Sequence, residues 1–128
     1  MGDNYNLRLN PSGTGRITIL GKSAVALDTK ESLFDTAWHQ LSGTYDGAAL
    51  NIYVDGKLSA SMAQTGALEY SYFPRFVIGK HGNKKAGYEF IGSLDEVEVS
   101  GDVARSADWI KLGFENQRAG SVLLEFRP

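Results

Sequence analysis

Glu96 and Glu98 stand two residues apart in Asp95-Glu96-Val97-Glu98-Val99, a spacing that puts two carboxylates on one face of an extended chain. Paired carboxylates are the groups that acid–base chemistry needs, one to deliver a proton and one to accept it. The same spacing is equally what an ordinary solvated strand face looks like. Asp95 falls on the opposite face with Val97 and Val99, so its carboxylate is expected to point toward the interior. A buried carboxylate has to be paired, hydrogen-bonded or metal-bound to stay ionised.

His39 and His81 are the only histidines, too few for a histidine-rich metal site. No Gly-x-Ser-x-Gly elbow supports a Ser-His-Asp triad. The chain has no cysteine, which excludes disulfides and thiolate metal ligands without fixing a compartment. The best candidate for ligand recognition is the stretch Gly79 to Tyr88, where Lys80, His81, Asn83, Lys84 and Lys85 supply donors beside the Tyr88 ring. Tyr70, Tyr72 and Phe73 form a second aromatic group in the preceding loop. Aromatic faces stack on the C–H surfaces of sugars while amide and charged groups take the hydroxyls. The competing reading has these rings as rim packing and the lysines as solubilising charge.

These residues must be held by strands. Tyr5, Leu7 and Leu9 alternate with Asn6 and Arg8; Asn10-Pro11-Ser12-Gly13 reads as a turn, Arg16 to Ile19 as the returning strand, and Ser23 to Leu27 as another. Asp46-Gly47 and Asp55-Gly56 are expected as two-residue hairpin loops joining strands at Trp38–Tyr45, Ala49–Val54 and Lys57–Met62, because Asp tolerates positive φ and Gly adopts it freely. Leu50, Ile52 and Val54 then share an inward face. Further strands are expected around Glu96–Val99 and Ser121–Phe126. One segment has helical spacing: Trp109, Ile110, Gly113 and Phe114, with Ser106 as N-cap and Asp108 in the first turn.

The 128 residues suffice for one domain with a single core. Hydrophobic residues make up 42% and charged residues 22%, a globular composition. A formal net charge of -2 argues against a nucleic-acid partner, which calls for a basic excess on one face. No apolar stretch is long enough to span a bilayer, so no membrane insertion is expected.

Trp38-His39, Gly43-Thr44-Tyr45-Asp46-Gly47, Ile52-Tyr53-Val54-Asp55-Gly56 and Gly92-Ser93-Leu94-Asp95-Glu96-Val97 together resemble the laminin-G-like jelly rolls of the concanavalin A-like lectin/glucanase superfamily, and Val103 to Ile110 resembles the helix that closes such domains in large microbial surface proteins. The resemblance implies an all-β antiparallel sandwich with one short C-terminal helix, a single domain over residues 1–128 that lacks the family's opening strands. It implies a non-catalytic module of a larger secreted or cell-surface protein, binding carbohydrate or another surface ligand. A structural or adhesive spacer is the alternative, and a glycan-cleaving enzyme the third reading. The glucanases of this superfamily carry catalytic carboxylates at i, i+2 spacing, but their Glu-x-Asp-x-x-Glu signature is absent here. The expected ligand-binding residues are His81, Asn83, Lys84, Tyr88 and Tyr72. Asp95 matches the position that in the wider superfamily helps to hold a structural Ca²⁺; accepting backbone N–H groups is its alternative role. Missing strands leave an exposed ladder edge, to be filled by Ser121–Phe126, by a second copy as a homo-oligomer, or by another partner.

Overall fold

The computed structural model describes residues 5–69, 76–81 and 86–121. Six strands and one helix are present among them: β1 (Tyr5–Leu9), β2 (Thr14–Leu20), β3 (Ala24–Ser32), β4 (Leu41–Tyr45), β5 (Ala49–Val54), β6 (Lys57–Ala63) and α1 (Ala107–Gln117). They form two antiparallel three-stranded meanders, ordered β1-β2-β3 and β4-β5-β6. This is the all-β sandwich expected from the period-two pattern. Ser121–Phe126, apart from its first residue, lies outside the described residues.

Alternation does the work of burial. Along β2, Gly15, Ile17 and Ile19 are buried while the residues between them are half exposed. Leu50, Ile52 and Val54 are all buried, and Ile17, Ile19, Leu50 and Ile52 form the core, with Val25, Leu27, Leu41, Tyr45, Met62 and Leu68 packed around it. The two layers approach closely at Gly43, where a Cβ would lie 2.3 Å from Ile17 Cδ1. A side chain there would contest the space of the core isoleucine.

The two Asp-Gly pairs fold differently. Asp55 (φ 50°) and Gly56 (φ 73°) form the two-residue reversal between Val54 and Lys57, as expected. Asp46-Gly47 does not: β4 and β5 pair as Tyr45 with Leu50, leaving four residues between the paired positions, and only Gly47 has positive φ. Asp46 Oδ1 instead accepts the N–H groups of Ala48 (2.9 Å) and Ala49 (2.7 Å), which turns the chain through a side chain.

Two irregularities tie the layers together. Thr29, Lys30 and Glu31 of β3 face the single residue Gly15 of β2, and in β6 Ser59 is the extra residue between Leu58, paired with Tyr53, and Ala60, paired with Ile52. The bulges meet. Lys30 N–H donates to Ser59 Oγ at 2.9 Å, and that hydroxyl donates to the Glu31 carboxylate, holding it below its ordinary pKa. Gly15 N–H, deprived of a ladder partner, donates to Thr29 Oγ1 at 2.9 Å.

α1 starts where its cap signal lies: Ser106 Oγ accepts the Trp109 N–H at 3.2 Å. The helix rests on the β5–β6 turn, where a Cβ on Gly56 would come within 3.0 Å of Lys111 Cα and 3.1 Å of Phe114 Cβ. Gly56 therefore serves the reversal and the helix contact at once.

The segment from Gly92 to Ser100 departs from expectation, forming no strand. Glu96 has φ 50°, which interrupts an extended run between Asp95 and Val97. Among the described residues it pairs with no strand, and Leu94, Val97 and Val99 stay exposed.

Candidate functional site

The most connected polar cluster is built around the hairpin turn. Asp55 Oδ1 accepts the Gln40 N–H at 2.9 Å and Oδ2 lies 2.9 Å from His39 Nδ1. The other ring nitrogen, Nε2, is 3.0 Å from both Asp35 oxygens, and Asp35 Oδ1 also accepts the Ala37 N–H at 2.7 Å. An imidazole with a carboxylate on each nitrogen favours its protonated form, in which both N–H groups donate. The bond to Asp55, then that to Asp35, accordingly raises the His39 pKa against the opposing effect of burial. Asp35 is held low, chiefly by the Ala37 N–H and then by His39. With both nitrogens engaged, His39 acts as a clamp that anchors the approach to β4, which explains why that strand begins at Leu41 rather than Trp38. Asp35 was not singled out from sequence; its position four residues before His39 was the available signal. Phe34 and Trp38, beside the cluster, are exposed.

The loop singled out from sequence is closed at its base by Phe90 N–H donating to Gly79 O at 2.8 Å. That pairing brings His81 and Tyr88 into an edge-to-face contact, ring centroids 5.3 Å apart and planes at 70°. Gly87 N–H donates to Glu89 Oε2 at 2.8 Å. Phe76, Ile78, Tyr88 and Phe90 all expose apolar surface here, so the loop offers several rings or aliphatic faces next to an imidazole. Asn83, Lys84 and Tyr72, together with Lys85, Tyr70 and Phe73, lie outside the described residues. Another exposed ring, Trp109 on α1, carries the Arg105 guanidinium 4.7 Å from its centroid.

Asp95 does not face the core as its parity implied. It is exposed, and its Oδ1 accepts the N–H of the adjacent Glu96 at 2.9 Å, because the left-handed turn at Glu96 breaks the alternation. Glu96 and Glu98 are exposed as well. Calcium requires six to eight oxygens. Among the described residues no three acidic or imidazole side chains gather in a metal-binding group.

The family model for laminin-G-type domains of the concanavalin A-like lectin/glucanases superfamily matches residues 1–111, and the chain belongs to that family. Among solved structures, a crystal structure of an S-layer domain-containing protein (residues 221–444) from Clostridium thermocellum is similar, with 19% sequence identity and a TM-score of 0.55. The match covers 88% of this chain and 58% of that one, and at this identity it speaks to the fold alone. No curated protein matches.

Proposed function

We propose that the chain is a non-catalytic, carbohydrate- or surface-ligand-binding module of a larger secreted or cell-surface protein, with the Gly79–Tyr88 loop as its contact surface. The observation that carries this reading is the His81–Tyr88 pair, an imidazole held against a ring at the edge of an exposed aromatic group. Such a surface suits a sugar, whose C–H face stacks on a ring while its hydroxyls meet donors. Asn83, Lys84 and Tyr72 are proposed as further contacts. Family membership supports a surface module, and in the described residues no helix is long and apolar enough to cross a membrane. Glu96 and Glu98 are both exposed on an irregular segment, as on an ordinary solvated face, which supports a non-catalytic role.

A structural or adhesive spacer is the second reading, favoured by the solved neighbour coming from an S-layer domain-containing protein. A glycan array separates the two. Binding is expected to fall about tenfold or more in Tyr88→Ala, equivalent to the loss of about 1.4 kcal/mol. A blank array favours the spacer, and reducing sugar released from a polysaccharide refutes the non-catalytic reading. Structural calcium at Asp95 is carried as a proposal: a melting temperature that falls in EDTA and recovers with Ca²⁺ supports it, and identical melts remove it.

A further inference from the structure

The chain contains two Asp-Gly pairs and no Asn-Gly. Such a pair carries a latent reaction of its own. The backbone nitrogen of the glycine attacks Cγ of the preceding carboxyl group; a C–N bond forms, and the carboxyl hydroxyl leaves with the amide proton as water. Water then opens the cyclic imide at either carbonyl. Cleavage of the N–Cγ bond restores aspartate. Cleavage between the nitrogen and the main-chain carbonyl carbon leaves the chain running through the side-chain methylene, as isoaspartate. Composition is unchanged, and no reagent but water is needed. Glycine favours the attack because no Cβ shields its nitrogen and its backbone turns freely.

The fold treats the two pairs differently. At Asp55-Gly56 the glycine is buried, and a Cβ on it would come within 3.0 Å of Lys111 Cα and 3.1 Å of Phe114 Cβ. Both Asp55 oxygens are also engaged, by the Gln40 N–H and by His39. Ring closure there must release both partners and turn a peptide against the helix. At the other pair, Asp46, Gly47 and Ala48 are all exposed, and among the described residues a Cβ on Gly47 would meet nothing within 4 Å beyond its chain neighbours. Its restraint is local, the Ala48 and Ala49 N–H groups donating to Asp46 Oδ1. We propose that Asp46-Gly47 is a site of spontaneous conversion to isoaspartate in the folded protein, and that the fold protects Asp55-Gly56. Conversion moves the carboxylate and takes the acceptor from both alanine N–H groups. It thereby loosens a loop whose Ala48 carbonyl also accepts the Gln64 N–H at 2.9 Å, at the exit of β6.

Peptide mapping tests this. The full chain is incubated in warm, mildly acidic buffer below its melting transition, beside a sample in urea. Trypsin places both pairs on one peptide, residues 31–57, and electron-transfer fragmentation locates isoaspartate within it. In the folded protein, conversion at Asp46 is expected to run about tenfold or more ahead of Asp55. In urea the two should convert at similar rates. Gly47→Asn, which tolerates positive φ and adds a Cβ beside the attacking nitrogen, is expected to slow conversion at Asp46 about tenfold, with circular dichroism unchanged. Equal conversion of the two pairs in the folded chain overturns the proposal, as does none at Asp46 while the urea sample converts. A lead for Asp46 that persists undiminished in urea refutes protection by the fold. An unchanged rate in Gly47→Asn refutes attack by that nitrogen.

Discussion

Asp55 does three jobs with one side chain and one backbone conformation: it starts the β5–β6 reversal at positive φ, accepts Gln40 N–H and holds His39. The His39 contact has a pH signature. Its pKa is raised in the fold above the ordinary value of 6.5, so the stabilisation is complete below that value and is lost as pH rises through the folded one. Asp35 and Asp46 behave oppositely. Their pKa values are lowered, by the Ala37 N–H and then His39 for Asp35, and by the Ala49 and Ala48 N–H groups for Asp46. Their stabilisation is present above 3.8 and disappears as pH falls through the depressed values. The melting temperature is therefore expected to be highest between about 3.8 and 6.5, the two ordinary values, and to decline on the alkaline side. His39→Gln should flatten that alkaline decline; a variant with the same decline would assign it to other groups. At this scale the sequence marked His39 only as part of the Trp38-His39 motif that carries the family resemblance. It did not show that Asp35 completes the clamp, because an i, i+4 pair in an irregular segment leaves no periodic trace.

Among the elements, what could be read in advance depended on whether a local signal had a local cause. The Asp55-Gly56 reversal, the Ser106 cap and the strand of Leu50, Ile52 and Val54 all follow from neighbours in sequence. Asp46-Gly47 is the same dipeptide as Asp55-Gly56, yet the pairing of Tyr45 with Leu50 left four residues to span instead of two. Bulges are invisible for a similar reason: an extra residue in one strand exists only relative to its partner. Gly43 was read only as part of a Gly-Thr-Tyr motif, whereas its position 2.3 Å (as a built Cβ) from Ile17 Cδ1 is a fact of layer packing. Gly43→Ala should cost about 1–3 kcal/mol by overpacking. Ile17→Val, which removes that δ methyl, should cost about 0.5–1.5 kcal/mol alone. Made together, they should destabilise by about 1 kcal/mol less than their sum in urea denaturation. Strict additivity would mean that the strain is relieved elsewhere.

For the molecule as a whole, alternation located the core correctly because it specifies which side chains face inward. It could not locate a neighbour for Val97–Val99, since a pattern of faces says nothing about which strand lies alongside, and the left-handed residue at Glu96 broke the pattern as well. The same gap accounts for Asp95 facing solvent. Loop chemistry was legible as a group of rings and donors, while the meeting of His81 with Tyr88 required the Gly79–Phe90 closure to be seen. The joined bulges have a dynamic consequence of their own. The Lys30 amide proton is spent on a hydroxyl of the other layer, Ser59 Oγ, instead of on an adjacent strand. Its exchange with deuterated solvent should therefore wait for the layers to part, and slow exchange in the wild type that accelerates in Ser59→Ala would make this one amide a reporter of how often the sandwich breathes open.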